Sequence, residues 1–166
     1  MTRDEEALAK MHAEFYDKYR QLIMDGYNLA FLTIGDPTVY STFGYIMKLA
    51  KKDGIEVEII NGITSFCGSA AAAGILLSER DENIHIISGQ GNLEEELKIS
   101  GTKIIMKSGR NVASIKERLL ELEQADKISV YAVVDCGMET EQIFNGAMMI
   151  PDDSKYMMTI IIKDKV

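Results

Sequence analysis

Phe31-Leu-Thr-Ile-Gly-Asp-Pro-Thr-Val-Tyr-Ser-Thr-Phe-Gly-Tyr45 is the stretch that decides the fold. An apolar strand runs into a Gly-Asp-Pro turn, and a helix follows at once. In an open parallel sheet such a junction lies at the carboxyl end of a strand, where ligands bind. Gly35 lets backbone approach a ligand closely, Asp36 offers a carboxylate, and Pro37 stiffens the turn. Ser41 and Thr42 open the helix.

Outward from this turn, residues 28–34 read as a strand, 42–52 as a helix ended by Gly54, and 55–60 as a second strand. Together they make one βαβ unit with a right-handed crossover. Before it, Leu8, Met11, Phe15, Leu22 and Ile23 are spaced for one buried helix face over 4–25. Gly62 then breaks the pattern and marks a boundary between a first α/β domain, 1–62, and a second, 63–166. In the second, Thr64-Ser65 can cap a helix that contains the small-residue run 68–74. Strands are expected at 84–88, 103–107, 128–135 and 156–163. Helices are expected at 92–97 and 112–123, with a short helical piece near 141–144. Strand 28–34 is apolar on both faces, as a central parallel strand should be. Two strands do not make a stable sheet unaided, so either another chain completes this sheet or an opening segment is missing.

The 166 residues are 46% apolar, enough for a core, and the net charge of −8 disfavours nucleic acid as a partner. No run approaches the roughly 18 apolar residues of a membrane span. The acidic opening MTRDEEALAK is unlike a secretory signal. Cys67 and Cys136 stand far apart, which fits two free thiols in a reducing, cytoplasmic setting. His12 and His85 lack partners at metal-ligand spacing, so no protein-held metal is expected.

GDPTVYSTFGY at 35–45, followed by a strand and NGITSF at 61–66, resembles the tetrapyrrole methylases. KIIMKSGRN at 103–111, VVDCGMETEQIF at 133–144 and YMMTIIIK at 156–163 fit the same family in the same order. The nearest likeness is to members that methylate C20 of precorrin-2 or cobalt-precorrin-2 in corrin synthesis. The resemblance implies two α/β domains, S-adenosylmethionine held in the cleft between them, and action as a homodimer. The family's opening strand and GxGPGDP loop have no counterpart here. Its usual prolines are replaced by Asn61 and Leu76.

Methyl transfer of this kind needs in-line approach of a carbon nucleophile, and the protein supplies orientation. No nucleophilic side chain is required. Asp36 and the backbone from Gly35 to Thr38, with Tyr40 and Ser41, are expected on the amine and ribose side of the cofactor. Thr64 and Ser65 offer hydroxyls and helix N-terminal N–H groups for its carboxylate. Met106 would flank the adenine, and by resemblance the backbone near Gly137 would approach it. Lys107 and Arg110 are candidates to pair with carboxylates of a tetrapyrrole, with Tyr45 beside them. The group that removes the proton after methylation stays open among Tyr40, Tyr45 and bound water.

Each feature also has a plain structural role: Asp-Pro as a turn, Thr-Ser as a cap, Met106 and Tyr45 as core, Lys107 and Arg110 as a solvated strand end. Ser88-Gly-Gln-Gly91 reads as a turn. Two further functions are open: a catalytically silent fragment or interaction module, and a member acting on another acceptor.

Overall fold

The computed structural model describes residues 4–153 and 157–165. The first three residues of the acidic opening and Tyr156, expected to start the last strand, lie outside these. The chain divides into two compact units, one ending at Thr64 and the other starting at Ser65.

In the first unit, α1 spans Glu5–Met24 and α2 spans Phe43–Lys52. The Asp4 carboxylate caps α1 by accepting from the Glu6 and Ala7 N–H groups, and Glu5 and Glu6 suit its positive end. The two helices pack against each other. Buried Tyr16 donates to Asp53 Oδ2 at 3.0 Å, and Arg20 Nε meets the same oxygen at 2.5 Å. Asp53 thereby fastens the end of α2 to α1. Arg20 first, then Tyr16, holds the Asp53 carboxyl below its ordinary range.

The strands expected at 28–34 and 55–60 are not formed. The helix between them is present, yet no backbone hydrogen bond joins the two segments among the described residues. The reason is the one the pattern implied: two segments without further neighbours cannot hold a ladder. Their apolar side chains stay open to solvent, with Leu32 at 89% and Ile60 at 78% exposure.

The second unit carries a five-stranded mixed sheet, so the molecule is α/β. It begins with α3, Ser65–Ala73. Then come β1 Ile84–Ser88, α4 Leu93–Glu96, β2 Thr102–Met106, α5 Val112–Gln124, β3 Ile128–Val134, β4 Gln142–Asn145 and β5 Met158–Asp164. The spatial order is β1-β2-β5-β3-β4. The β1–β2 pair is parallel, and every other pair is antiparallel. The short helix expected near 141–144 is in fact β4. Ile143 and Phe144 pair with Val133 and Ala132, and ladder bonding to β3 outweighs the local pattern.

Alternation assigns the two faces. Ile105, Val130, Ala132, Ile160 and Ile162 share one face and form a core with Val112, Ile115 and Leu119 of α5. α3 packs on β3 and β5, with Ser69 and Ala70 buried. Its small residues allow that close approach. β5 is central and buried on both faces, which explains its unbroken Ile160-Ile161-Ile162 run.

Charged groups pair at the end of the sheet where β5 finishes. Lys103, 1% exposed, pairs with Asp164, which also accepts from the Gly101 N–H at 2.9 Å. Lys163 pairs with Glu82 at 2.7 Å, and Glu82 accepts from the Thr102 hydroxyl at 2.8 Å. Lys163, chiefly, holds the Glu82 carboxyl below its ordinary value of 4.5. A depressed folded pKa stabilises the fold above the ordinary value, and that contribution is lost as pH falls through the depressed one. Acid unfolding monitored by circular dichroism should therefore show a loss of stability below about pH 4.5 that Glu82→Gln reduces. An unchanged acid limb in that variant would remove Glu82 from the account.

Candidate functional site

The candidate residues of the first unit cluster around the turn that follows 28–34. Gly35 has φ +81°, a left-handed conformation that glycine takes without strain. The Asp36 carboxylate folds back over the turn: Oδ1 accepts from the Thr38 N–H at 2.8 Å and from the Thr38 hydroxyl. Oδ2 accepts from the Gly62 N–H at 3.0 Å. These donors, the Thr38 hydroxyl foremost, hold the Asp36 carboxyl below its ordinary range. The Val39 N–H closes a turn onto the Asp36 carbonyl at 3.2 Å, with Pro37 in the position where its fixed φ fits. Tyr40 has a positive φ of 50°, and the Ser41 hydroxyl accepts from the Phe43 N–H at 3.2 Å as α2 begins. Tyr45 is exposed on α2 and stacks on His12 of α1, with ring centroids 4.3 Å apart.

Gly62 was read only as a pattern breaker, and its role is more specific. A Cβ there would overlap the Gly35 carbonyl oxygen. The turns ending 28–34 and 55–60 thus lie side by side, as in a βαβ unit, although the strands leading to them make no ladder. Two residues later comes Thr64. Its hydroxyl and that of Ser65, the first residue of α3, are both buried without a hydrogen-bond partner among the described residues.

In the second unit, register places the remaining candidates. Met106 ends β2 beside Ser88 of β1, and β5 aligns β2 with β3 so that Val134 ends at the same edge. Gly137 follows in a loop with left-handed Asp135 and Gly137; the Gly137 N–H donates to Glu141 at 2.6 Å. Gly68 of α3 lies against the Cys136 sulfur, 3.3 Å from where a Cβ would sit. Further along, Lys163 at the opposite sheet end reaches the Leu77 carbonyl. Ser65 therefore starts α3 at the same end of the sheet as Met106 and Gly137. Cys136 is partly buried, and burial pushes its thiol pKa up.

Lys107 and Arg110 follow Met106; both are exposed, and Lys107 is left-handed with φ 56°. Arg110 sits in a 3₁₀ turn, Gly109–Asn111, before α5. The Asn111 side chain donates to the Gly89 carbonyl at 2.8 Å, and the Gly89 N–H donates to the Met106 carbonyl at 2.7 Å. The Ser88–Gly91 turn, read from sequence as a turn, thus braces the loop that carries Met106. No group of His, Cys, Asp or Glu that could hold a metal occurs among the described residues.

The sequence profile of the tetrapyrrole (corrin/porphyrin) methylases matches residues 1–149. The chain belongs to this family. It is 38% identical over 148 residues to a probable cobalt-precorrin-2 C(20)-methyltransferase of Methanocaldococcus jannaschii, covering 89% of this chain and 61% of that protein. A precorrin-2 C(20)-methyltransferase of a Sinorhizobium species is 26% identical, covering 96% of this chain and 67% of its own length. The chain thus spans about three fifths of the first of these relatives and two thirds of the second. Among solved structures, a cobalamin synthesis related protein from Corynebacterium diphtheriae superposes with a TM-score of 0.67 at 20% identity, covering 97% of this chain and 73% of that one. A uroporphyrin-III C-methyltransferase from Thermus thermophilus, crystallised with S-adenosylhomocysteine, gives 0.59 at 18% identity, covering 78% and 62%. Both likenesses support the tetrapyrrole methylase fold.

Proposed function

We propose that the protein transfers a methyl group from S-adenosylmethionine to C20 of precorrin-2 or cobalt-precorrin-2. The observation that carries this reading is the 38% identity to the archaeal relative along most of the chain. Bound S-adenosylmethionine supplies an electrophilic methyl on a sulfonium; the chain's residues supply position.

The orphaned hydroxyls of Thr64 and Ser65 fit such a ligand. Buried donors without partners are costly, and the start of a nine-residue helix adds free N–H groups, so an anionic carboxylate would satisfy both. In the Gly-Asp-Pro turn the backbone from Gly35 through Asp36 to Thr38, with Tyr40 and Ser41, takes the amine and ribose side. Met106 and the backbone at Gly137 stand at one sheet end, where they flank the adenine. Lys107 and Arg110 pair with carboxylates of the macrocycle, and Tyr45 lies on the substrate side. Any cobalt arrives within the substrate.

The protein would work as a cytoplasmic homodimer. The apolar side chains left open along 28–34 and 59–63 favour self-association, and the two cysteines, both unpaired, suit a reducing compartment. The same exposed surface is what the interaction-module reading would use. Incubating the chain with S-adenosylmethionine and precorrin-2 separates the two readings. Gain of one methyl by mass spectrometry supports the enzyme, and tight cofactor binding without transfer supports a silent relative.

A further inference from the structure

We propose that Asp36 is a positioning residue: its carboxylate latches the turn after 28–34 to the turn after 55–60, and fixes the Gly35 carbonyl and the Thr64 hydroxyl without touching the ligand. This rests on the reading of those two groups as cofactor-binding.

A carboxylate offers about four lone-pair sites. Three donors already point at Asp36: the Thr38 N–H, the Thr38 hydroxyl and the Gly62 N–H. The carboxylate is thus engaged on both oxygens by the fold itself. The bond to Gly62 also crosses a gap that no backbone–backbone hydrogen bond among the described residues bridges. Segments 28–34 and 55–60 have no ladder between them among the described residues. In a complete βαβ pair the ladder would set the spacing of the two turns. Here a charge-assisted hydrogen bond does so. Gly62 completes the latch because any side chain would strike the Gly35 carbonyl oxygen. Thr64 lies two residues beyond the latched N–H, so the latch sets where that hydroxyl stands.

The experiment has two arms. In the first, the amide proton shift of Gly62 is followed by NMR as pH falls. It should stay constant through the ordinary aspartate value of 3.8 and move only below it, and Asp36→Asn should abolish that movement. In the second, S-adenosylhomocysteine is titrated calorimetrically into the wild type, Asp36→Asn, Gly62→Ala and the double variant. Each single change should weaken binding about tenfold, and the double should be no weaker than the worse single, because both open the same latch. Multiplying losses would mean that Asp36 meets the ligand by itself, and would overturn the proposal. So would a Gly62 amide shift that ignores Asp36. If Asp36→Asn does not fold, Thr38→Val removes one donor and should give a smaller shift of the same Gly62 resonance; no shift would count against the latch. A wild type that binds no S-adenosylhomocysteine defeats the functional reading, while the NMR arm still decides the latch.

Discussion

Asp164→Ala is expected to destabilise the protein by about 3–5 kcal/mol. The side chain of Lys103 is 1% exposed, and Asp164 is the carboxylate that pairs with it. Removing Asp164 strands an ammonium between β2 and β5, and also frees the Gly101 N–H that donates to it. Removing one partner costs more than the pair contributes, because the Lys103 ammonium is itself buried and is left unpaired. Replacing both residues, as in Lys103→Met with Asp164→Leu, should recover most of the loss, since neither charge is then buried. Urea unfolding reads both results through the midpoint at constant slope. A single-variant loss under about 1 kcal/mol would show that water reaches Lys103.

Gly89→Ala is the second large effect. An added Cβ would lie 2.6 Å from the Ser108 Cα and 3.0 Å from its nitrogen. Those are backbone atoms, so no flexible side chain can yield, and the loops after β1 and β2 must part. Overpacking of this kind costs about 1–3 kcal/mol. Binding suffers along with folding, because the Gly89 N–H holds the Met106 carbonyl and the Gly89 carbonyl holds Asn111. Affinity for S-adenosylhomocysteine should fall at least about tenfold while the circular dichroism spectrum is retained. An unchanged affinity would detach Met106 from the cofactor site.

How much of this the sequence disclosed depends on what each signal records. The helices were legible because a period of 3.6 and terminal glycines are local facts; α1 falls where the spacing of Leu8, Met11, Phe15, Leu22 and Ile23 puts it, and α2 stops at Lys52, just before Gly54. Four strands of the second unit, β1, β2, β3 and β5, were legible because their local pattern and their ladders agree. Segments 28–34 and 55–60 have the composition of strands, but a strand exists only through its ladder, and composition does not record a partner's absence. Gln142–Asn145 shows the converse: a weak local pattern became β4 because β3 lay beside it.

The site was legible in its residue types and less so in their arrangement. The Gly-Asp-Pro turn and the Thr-Ser pair are contiguous motifs. The close approaches that place them, Gly62 on Gly35 and Gly89 on Ser108, join residues far apart in the chain, and a lone glycine does not announce its neighbour. Nor does an aspartate show whether its carboxylate is kept for a ligand or, as at Asp36, engaged by the fold.

A calorimetric titration of the purified chain with S-adenosylhomocysteine tests the central claim most directly. The account predicts saturable binding with one site per chain, weakened when Thr64 and Ser65 are both replaced by alanine. The absence of any binding heat at millimolar ligand, in protein shown to be folded by its near-ultraviolet spectrum, would contradict it.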